Sequence, residues 1–337
     1  MSLRDVLIVG AGPTGLSAAI AARKRNLDYQ IIEQGALVNS IERFPPQMVF
    51  FTTPELLEIG GLPFVSPYEK PTRVEALKYY RKVADTYDLQ IAFEEQVLSI
   101  TPEPDEARAL GEPSVFSIET RSSRGVRRVR QARQVVLAIG YYDHPNMLNV
   151  PGEDLPHVHH YYREPFVHYR QRVVIVGGGN SAAEAALELF RSGASVTILH
   201  RAPELKSTIK YWVRPDIENR IKEGAIPARF NASITEIRPT TVVFTDLSAG
   251  GVHELPADAV YLLTGYRADD GLLRRAGIQL NDRNAPVHDP KTFETNVPGL
   301  FVAGGAIAGE DTGTIFIENG RFHGEAIIEV IAGRLER

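Results

Sequence analysis

The chain has 337 residues, 43% hydrophobic and 23% charged, a balance that fits a globular protein and excludes disordered and fibrous classes. Its length predicts two domains of ordinary size. A net charge of −5 argues against a general binder of nucleic acid or anionic membrane, and zero cysteines exclude disulfides, thiolate metal sites and a cysteine nucleophile within this chain.

The first element signal is DVLIVGAGPTGLSAAIAARKRNLDYQIIE, residues 5–33. The apolar run Val6–Val9 ends at Gly10, Pro13 to Arg25 have helical composition with a basic end, and Tyr29–Ile32 form a second short strand. Strand, glycine turn and helix match the dinucleotide fingerprint. Gly10 makes the turn, Gly12 lets a pyrophosphate approach the backbone, and Gly15 lets the helix pack on the strand. Glu33 stands 23 residues after Gly10, where a carboxylate can accept both ribose hydroxyls. Residues 91 to 139 then read as several short strands. The arginine-rich stretch from Arg121 to Arg133 reads as a solvated strand face. A linker punctuated by proline and glycine follows Ala138 to Gly140.

A second copy, VVIVGGGNSAAEAALELFRSGASVTILHR, begins at residue 173, with Gly177, Gly179 and Ala182 in the three glycine positions and Asn180 and Ser181 opening its helix. His200 lies 23 residues after Gly177, so one offset of 167 relates the two copies from loop to strand end. A matched pair with equal spacing is far more specific than either motif alone. Two such sites in one chain point to FAD and a nicotinamide, since a hydride donor needs an acceptor beside it. Glu33 suits the unmodified ribose of FAD. His200 and Arg201, with Lys206 and Lys210 close behind, offer donors that suit the 2′-phosphate of NADPH. The strand before Thr264 and Gly265 closes this unit, and the chain then crosses to VPGLFVAGG. The expected fold is α/β, with two Rossmann-like three-layer domains. Residues 1–144 and 267–337 form the FAD domain, and residues 145–266 the NADPH domain inserted into it.

Paired loops, the strand ends AIG and LTG, and a late GLFVAGG resemble two-dinucleotide-domain flavoproteins of the thioredoxin reductase type. Three stretches, FFTTPELLEIGGLPF at 50–64, IKYWVRPDIENRIKEG at 209–224 and TIFIENGRFHGE at 314–325, are similar to the YpdA-like bacillithiol disulfide reductases within that group. The resemblance covers nearly the whole chain. It implies an FAD-dependent, NADPH-consuming reductase of a small disulfide, with Pro13, Thr14, Gln34, Phe51, Thr52, Val97, Ala138, Gly140, Gly304, Gly305, Thr314 and Ile315 added to the FAD site. The family's loop often carries a cysteine proposed to be redox-active, and Thr14 occupies that position here. Electrons would then reach the disulfide without an enzyme thiol.

Candidate proton donors are His160, Tyr161, Tyr162 and His323. The histidines His157, His159, His160 and His168 match no compact ligand spacing, so no metal is expected. The alternative function is a cysteine-free flavoprotein that passes electrons to a ferredoxin- or flavodoxin-like protein, docking through the arginines at 121–133. No apolar run reaches about 18 residues and no basic, apolar leader opens the chain, so a cytoplasmic protein without a membrane span is expected. The resemblance also implies a homo-oligomer, dimer or tetramer.

Overall fold

A computed structural model describes residues 3–103 and 115–335. The chain divides into two compact units, Met1–His144 with Tyr266–Arg337, and Pro145–Gly265. Each is an α/β arrangement around a core of parallel strands, and the second is inserted in sequence within the first.

In the first unit, strand β1 (Leu3–Val9) leads through helix α1 (Pro13–Lys24) to strand β2 (Tyr29–Ile32). The seven-stranded sheet places β1 between β2 and the long strand Arg127–Leu137, all parallel, with Leu300–Val302 pairing beyond. The first half of Arg127–Leu137 pairs antiparallel with Phe116–Ser122. One strand thus serves a parallel sheet and a meander. Side chains alternate across the sheet and feed two cores. Val6, Ile8, Ile31, Val136 and Phe301 enter the core under α1 and the C-terminal helix His323–Leu335, while Leu7, Val9, Ile32, Val135, Leu137 and Val302 enter the other.

Helix α1 is buried almost throughout, including Gly15 to Ala22. Small residues permit this: a Cβ on Gly324 would meet the backbone of Ala18 and Thr14, so the C-terminal helix lies close against α1.

The second unit repeats the logic with Arg172–Val176, Ser195–Leu199, Ala228–Arg229, Ala259–Leu262 and Val158–His159 in one parallel sheet. Val173 and Ile175 face the helix side, and Val174 and Val176 face an antiparallel sheet formed by Ala232–Ile237, Thr241–Asp246 and Val252–Pro256.

The arginine hairpin departs from a purely solvated face. Arg130 forms a fork with the buried carboxylate of Glu95, Arg128 lies 3.6 Å from the same group, and Arg127 pairs with Glu119 at 2.9 Å. Burial would raise the Glu95 carboxyl, but Arg130 and the Thr120 hydroxyl hold it below its usual value. Arg130 is thus held against a buried carboxylate, while Arg127 and Arg128 keep the exposure expected of a solvated face.

Candidate functional site

At the end of β1 the backbone N–H of Gly10 donates to Ile32 (2.8 Å) and the chain turns with φ +103°. A side chain there would collide with the carbonyl of Ala138 on the neighbouring strand, so only glycine serves. Nothing lies within 4 Å of a Cβ built on Gly12, whereas one on Gly15 would strike the Gly10 carbonyl. The loop is therefore tight behind and open in front. Pro13 opens α1 with no side-chain cap, leaving the free N–H groups of its first turn beside that open space.

Glu33 is 5% exposed and accepts from the N–H of Ala11 (2.8 Å) and of Gly35 (2.9 Å). Burial pushes its carboxyl up, opposed by those two bonds. Asn39 turns its Oδ1 toward Ala36 (3.3 Å) and fills the space over Gly35, while its buried Nδ2 has no partner. A buried acceptor and an unspent donor beside an open glycine fit the ribose and pyrophosphate of a dinucleotide. Gln34 is tied to Asp143 (2.8 Å), which also pairs with Arg43 (2.8 Å).

The carboxyl ends of the parallel strands bring the rest together. Ala138 and Gly140 (φ +64°, nothing within 4 Å of its Cβ position) follow one strand, and Gly304 (φ +60°) and Gly305 follow Leu300–Val302. Tyr141, which sequence reasoning missed, lays its ring against Gly305. Thr52 is buried and Phe51 about half exposed. Thr314 donates to the carbonyl of Asp311 (2.9 Å) and accepts at its own carbonyl from Asn319 (2.8 Å), which fixes the turn carrying Ile315. Val97 has its side chain in the core, and a register shift between Val97 and Ser99 interrupts the strand there.

Thr14 packs against Gly304, and its hydroxyl donates to the carbonyl of Gly320 (3.3 Å), while Ser17 donates to that of Arg321 (2.6 Å). Two hydroxyls of α1 thus cap the end of the short helix Ile317–Gly320. Thr14→Val, which keeps the shape and deletes the donor, should lower unfolding stability by about 1 kcal/mol in urea titrations and leave turnover within about twofold.

His323 accepts at Nδ1 from the N–H of Gly304 (3.1 Å) and stacks on Phe293, centroids 4.3 Å apart. Burial, then His288, brings its imidazole down to about 4. An unfolded chain takes up this proton below about pH 6.5, the folded one only near its lowered value, so stability falls as pH drops through that window. Relative to His323→Gln, the wild type should lose up to about 2 kcal/mol between those limits, allowing for the ring's partial exposure. Denaturant midpoints across the window measure it.

The second loop repeats the first. Gly177 (φ +151°) donates to Leu199 (3.0 Å), and a Cβ on it would strike the Leu263 carbonyl. Gly179 is open, with only the Lys206 chain at 3.7 Å, and Ala182 is buried in the helix behind. In the place of Glu33 stands His200, whose ring covers Gly178 and requires it to be glycine. Its Nε2 is buried without a partner. Burial, then Lys206 and Arg201, holds the imidazole below its usual value. Arg201, Lys206 and Ser181 are exposed.

Asn180 clamps the following segment, accepting from Lys210 N–H (2.8 Å) and donating to the Thr208 carbonyl (3.1 Å). Lys210 is 5% exposed and pairs with Glu184 at 2.6 Å, so it is a buried structural cation and not a phosphate ligand. Thr264 donates to the carbonyl of Asn146 (2.7 Å), and the Gly265 carbonyl accepts from Asn146 N–H (2.9 Å). An open glycine, an unspent ring nitrogen and two exposed cations fit an adenosine phosphate. Of the remaining candidates, Tyr162 is 4% exposed and donates to Glu188 (2.8 Å). His160 lies 3.7 Å from Glu153, with its Nδ1 buried and unpartnered. Tyr161 neighbours both in sequence on the same stretch of the second unit. His168 is held between Gln171 and Tyr261, each at 2.7 Å.

The sequence pattern of the pyridine nucleotide-disulphide oxidoreductase family matches residues 7–304. The chain belongs to this family. The chain uses FAD and a nicotinamide nucleotide, and its activity is that of a flavoprotein oxidoreductase. Among relatives, bacilliredoxin reductase Bdr of Bacillus subtilis (strain 168) is 40% identical over 99% of both chains. A bacillithiol disulfide reductase Bdr (YpdA) from Bacillus cereus superposes with TM-score 0.92 at 39% identity, covering 99% of this chain and 100% of that one. The Staphylococcus aureus enzyme of the same name superposes with TM-score 0.91 at 37% identity over 99% of each chain. The family resemblance read from the three sequence motifs is therefore correct.

Proposed function

We propose that this flavoprotein reduces a low-molecular-weight disulfide of the bacillithiol type at the expense of NADPH, without an enzyme cysteine. The observation that carries the reading is the contrast at one matched position: a buried acceptor, Glu33, in the first loop, and in the second a His200 ring nitrogen without a partner among the described residues, beside the exposed cations Arg201 and Lys206. An acceptor suits a ribose diol and donors suit a 2′-phosphate. FAD is accordingly assigned to residues 1–144 and 267–337, and NADPH to 145–266. The names of the B. cereus and S. aureus relatives support the substrate class.

Bound FAD supplies a two-electron relay between nicotinamide and disulfide. The chain's own residues would hold it: Gly10 makes the turn, Gly12 leaves room for the pyrophosphate, Glu33 would accept from the ribose, and Thr14 fixes α1 to the Gly304 corner instead of offering a thiol. A cysteine-free reductase is suited to the reducing cytoplasm, where a homo-oligomer is the proposed form. Light scattering on the purified holoprotein gives the oligomeric state.

The test is anaerobic. Protein reduced with stoichiometric NADPH is mixed with bacillithiol disulfide, and its visible flavin absorbance is followed. Prompt recovery of the oxidised spectrum is the expected result. A flavin that stays reduced until a ferredoxin or flavodoxin is added would replace this reading with the electron-transfer one.

A further inference from the structure

Disulfide reduction leaves one chemical task without a residue. Two electrons break one S–S bond and two thiols form, so two protons are consumed. One proton travels with the hydride that NADPH gives up, and the second must be added to the departing sulfur. With no cysteine in the chain, no thiol relay can hold it.

Among the described residues, the titratable groups around the first loop can be taken in turn. Glu33 is engaged by Ala11 and Gly35, and Asp143 by Gln34 and Arg43. His323 is neutral at ordinary pH and uses Nδ1 as an acceptor, so it carries no spare proton of the right acidity. Tyr141 is pushed up by burial and by the charge of Glu318. That leaves Glu318 itself, in the TIFIENGRFHGE stretch, whose side chain has no task in holding the cofactors.

We propose that Glu318 is the proton source for the departing sulfur, an inference that rests on the disulfide-reductase reading. Its position follows from packing. Glu318 sits on the short helix Ile317–Gly320, which packs on the turn Gly304–Ile307 and on α1. Gly320 comes so near Gly304 that a Cβ on it would lie 3.2 Å from the Gly304 Cα. Tyr141 lies on Gly305 of that same turn. The helix that carries Glu318 therefore stands at the rim formed by the carboxyl ends of the parallel strands, against the Gly304–Gly305 corner that also meets Gly140, where ligands bind in such sheets.

Among the described residues, the charged and titratable groups that act electrostatically on it or feel its charge are Tyr80 from the helix Arg73–Thr86, Tyr141, and Arg321. Arg321 is drawn aside, donating to the carbonyls of Glu55 (2.8 Å) and Glu58 (2.7 Å). Burial pushes the Glu318 carboxyl up, opposed only in part by a bond from its own backbone N–H and then by Arg321. The group keeps its proton to higher pH than an exposed glutamate, as a general acid requires. It gives that proton to the thiolate sulfur, becomes a carboxylate, and is reprotonated from solvent.

The test compares wild type, Glu318→Gln and Glu318→Asp as FAD-loaded proteins of equal flavin content. Reoxidation by bacillithiol disulfide should fall about a hundredfold in Glu318→Gln near neutral pH and lose its decline toward high pH. Glu318→Asp should recover the pH dependence at a reduced rate. Reduction by NADPH should change less than about twofold in both. Independently of turnover, the infrared spectrum of oxidised wild type should show a protonated-carboxyl band persisting above the usual glutamate range near about 4.3, absent from Glu318→Gln. If wild type is reoxidised and Glu318→Gln matches its rate and pH profile, or if that band is missing from wild type, the proton role is overturned and the disulfide reading stands. Wild type that the disulfide never reoxidises overturns both.

Discussion

Gly12→Asp should yield a folded protein that purifies without flavin. The space in front of Gly12 is open, so a carboxylate fits without touching the fold, but it then occupies the path of a pyrophosphate with like charge. Such a juxtaposition costs several kcal/mol, about a thousandfold in FAD affinity at roughly 1.4 kcal/mol per tenfold. Gly10→Ala should behave oppositely. Its Cβ would strike the Ala138 carbonyl at a backbone angle of φ +103°, so the strand–turn–helix unit itself is destabilised. Flavin content measured beside urea unfolding of the FAD-free chain separates the two. Equal unfolding midpoints for both variants would refute the division of labour between these glycines.

That division explains why the loops are legible in the sequence. A glycine that must avoid a neighbouring strand, and a carboxylate at the end of the next strand, are local demands set by spacing along the chain. The alternation of Val6, Leu7, Ile8 and Val9 between two cores is local in the same sense. The residues that sequence reasoning missed meet only through tertiary structure. Asn39 reaches Gly35 through a short left-handed turn at Val38 (φ +49°), for which the sequence carries no glycine signal. Tyr141 and Glu318 are 177 positions apart, and Tyr141 feels the charge of Glu318 only in the folded chain. The spacing after the second loop makes Lys210 a cation near the nucleotide, yet it is buried against Glu184, because charge in a sequence says nothing of which way the side chain is turned.

The zero cysteine count gives Thr14 a meaning that the loop motif alone does not. A hydroxyl that donates to Gly320 and packs on Gly304 holds a corner in place, and the same corner carries His323 and follows directly on Glu318. Position 14 in this chain thus acts through geometry. The electron path is left to the cofactor and the proton to a carboxylic acid.

Arg201→Glu should raise the KM for NADPH about a hundredfold with little change in kcat, while the constants for NADH move less than about threefold. Arg201 and Lys206 are exposed, so their contribution in water is modest one at a time, but both act on the buried ring of His200, whose Nε2 has no partner among the described residues. A charge-assisted hydrogen bond to phosphate contributes about 1.5 to 3 kcal/mol, and reversing the charge adds repulsion to the loss. An effect confined to KM identifies binding that is equal in ground and transition states, as expected for a phosphate remote from the reacting carbon. Salt supplies the internal control. Exposed charges about a Debye length from one another are screened near physiological ionic strength, so the wild-type KM for NADPH should rise with added salt and that of Arg201→Glu should fall or stay level. If Arg201→Glu weakened NADH and NADPH alike, the cation would be holding the pyrophosphate or the loop, and the contrast between Glu33 and His200 would no longer assign the two nucleotides.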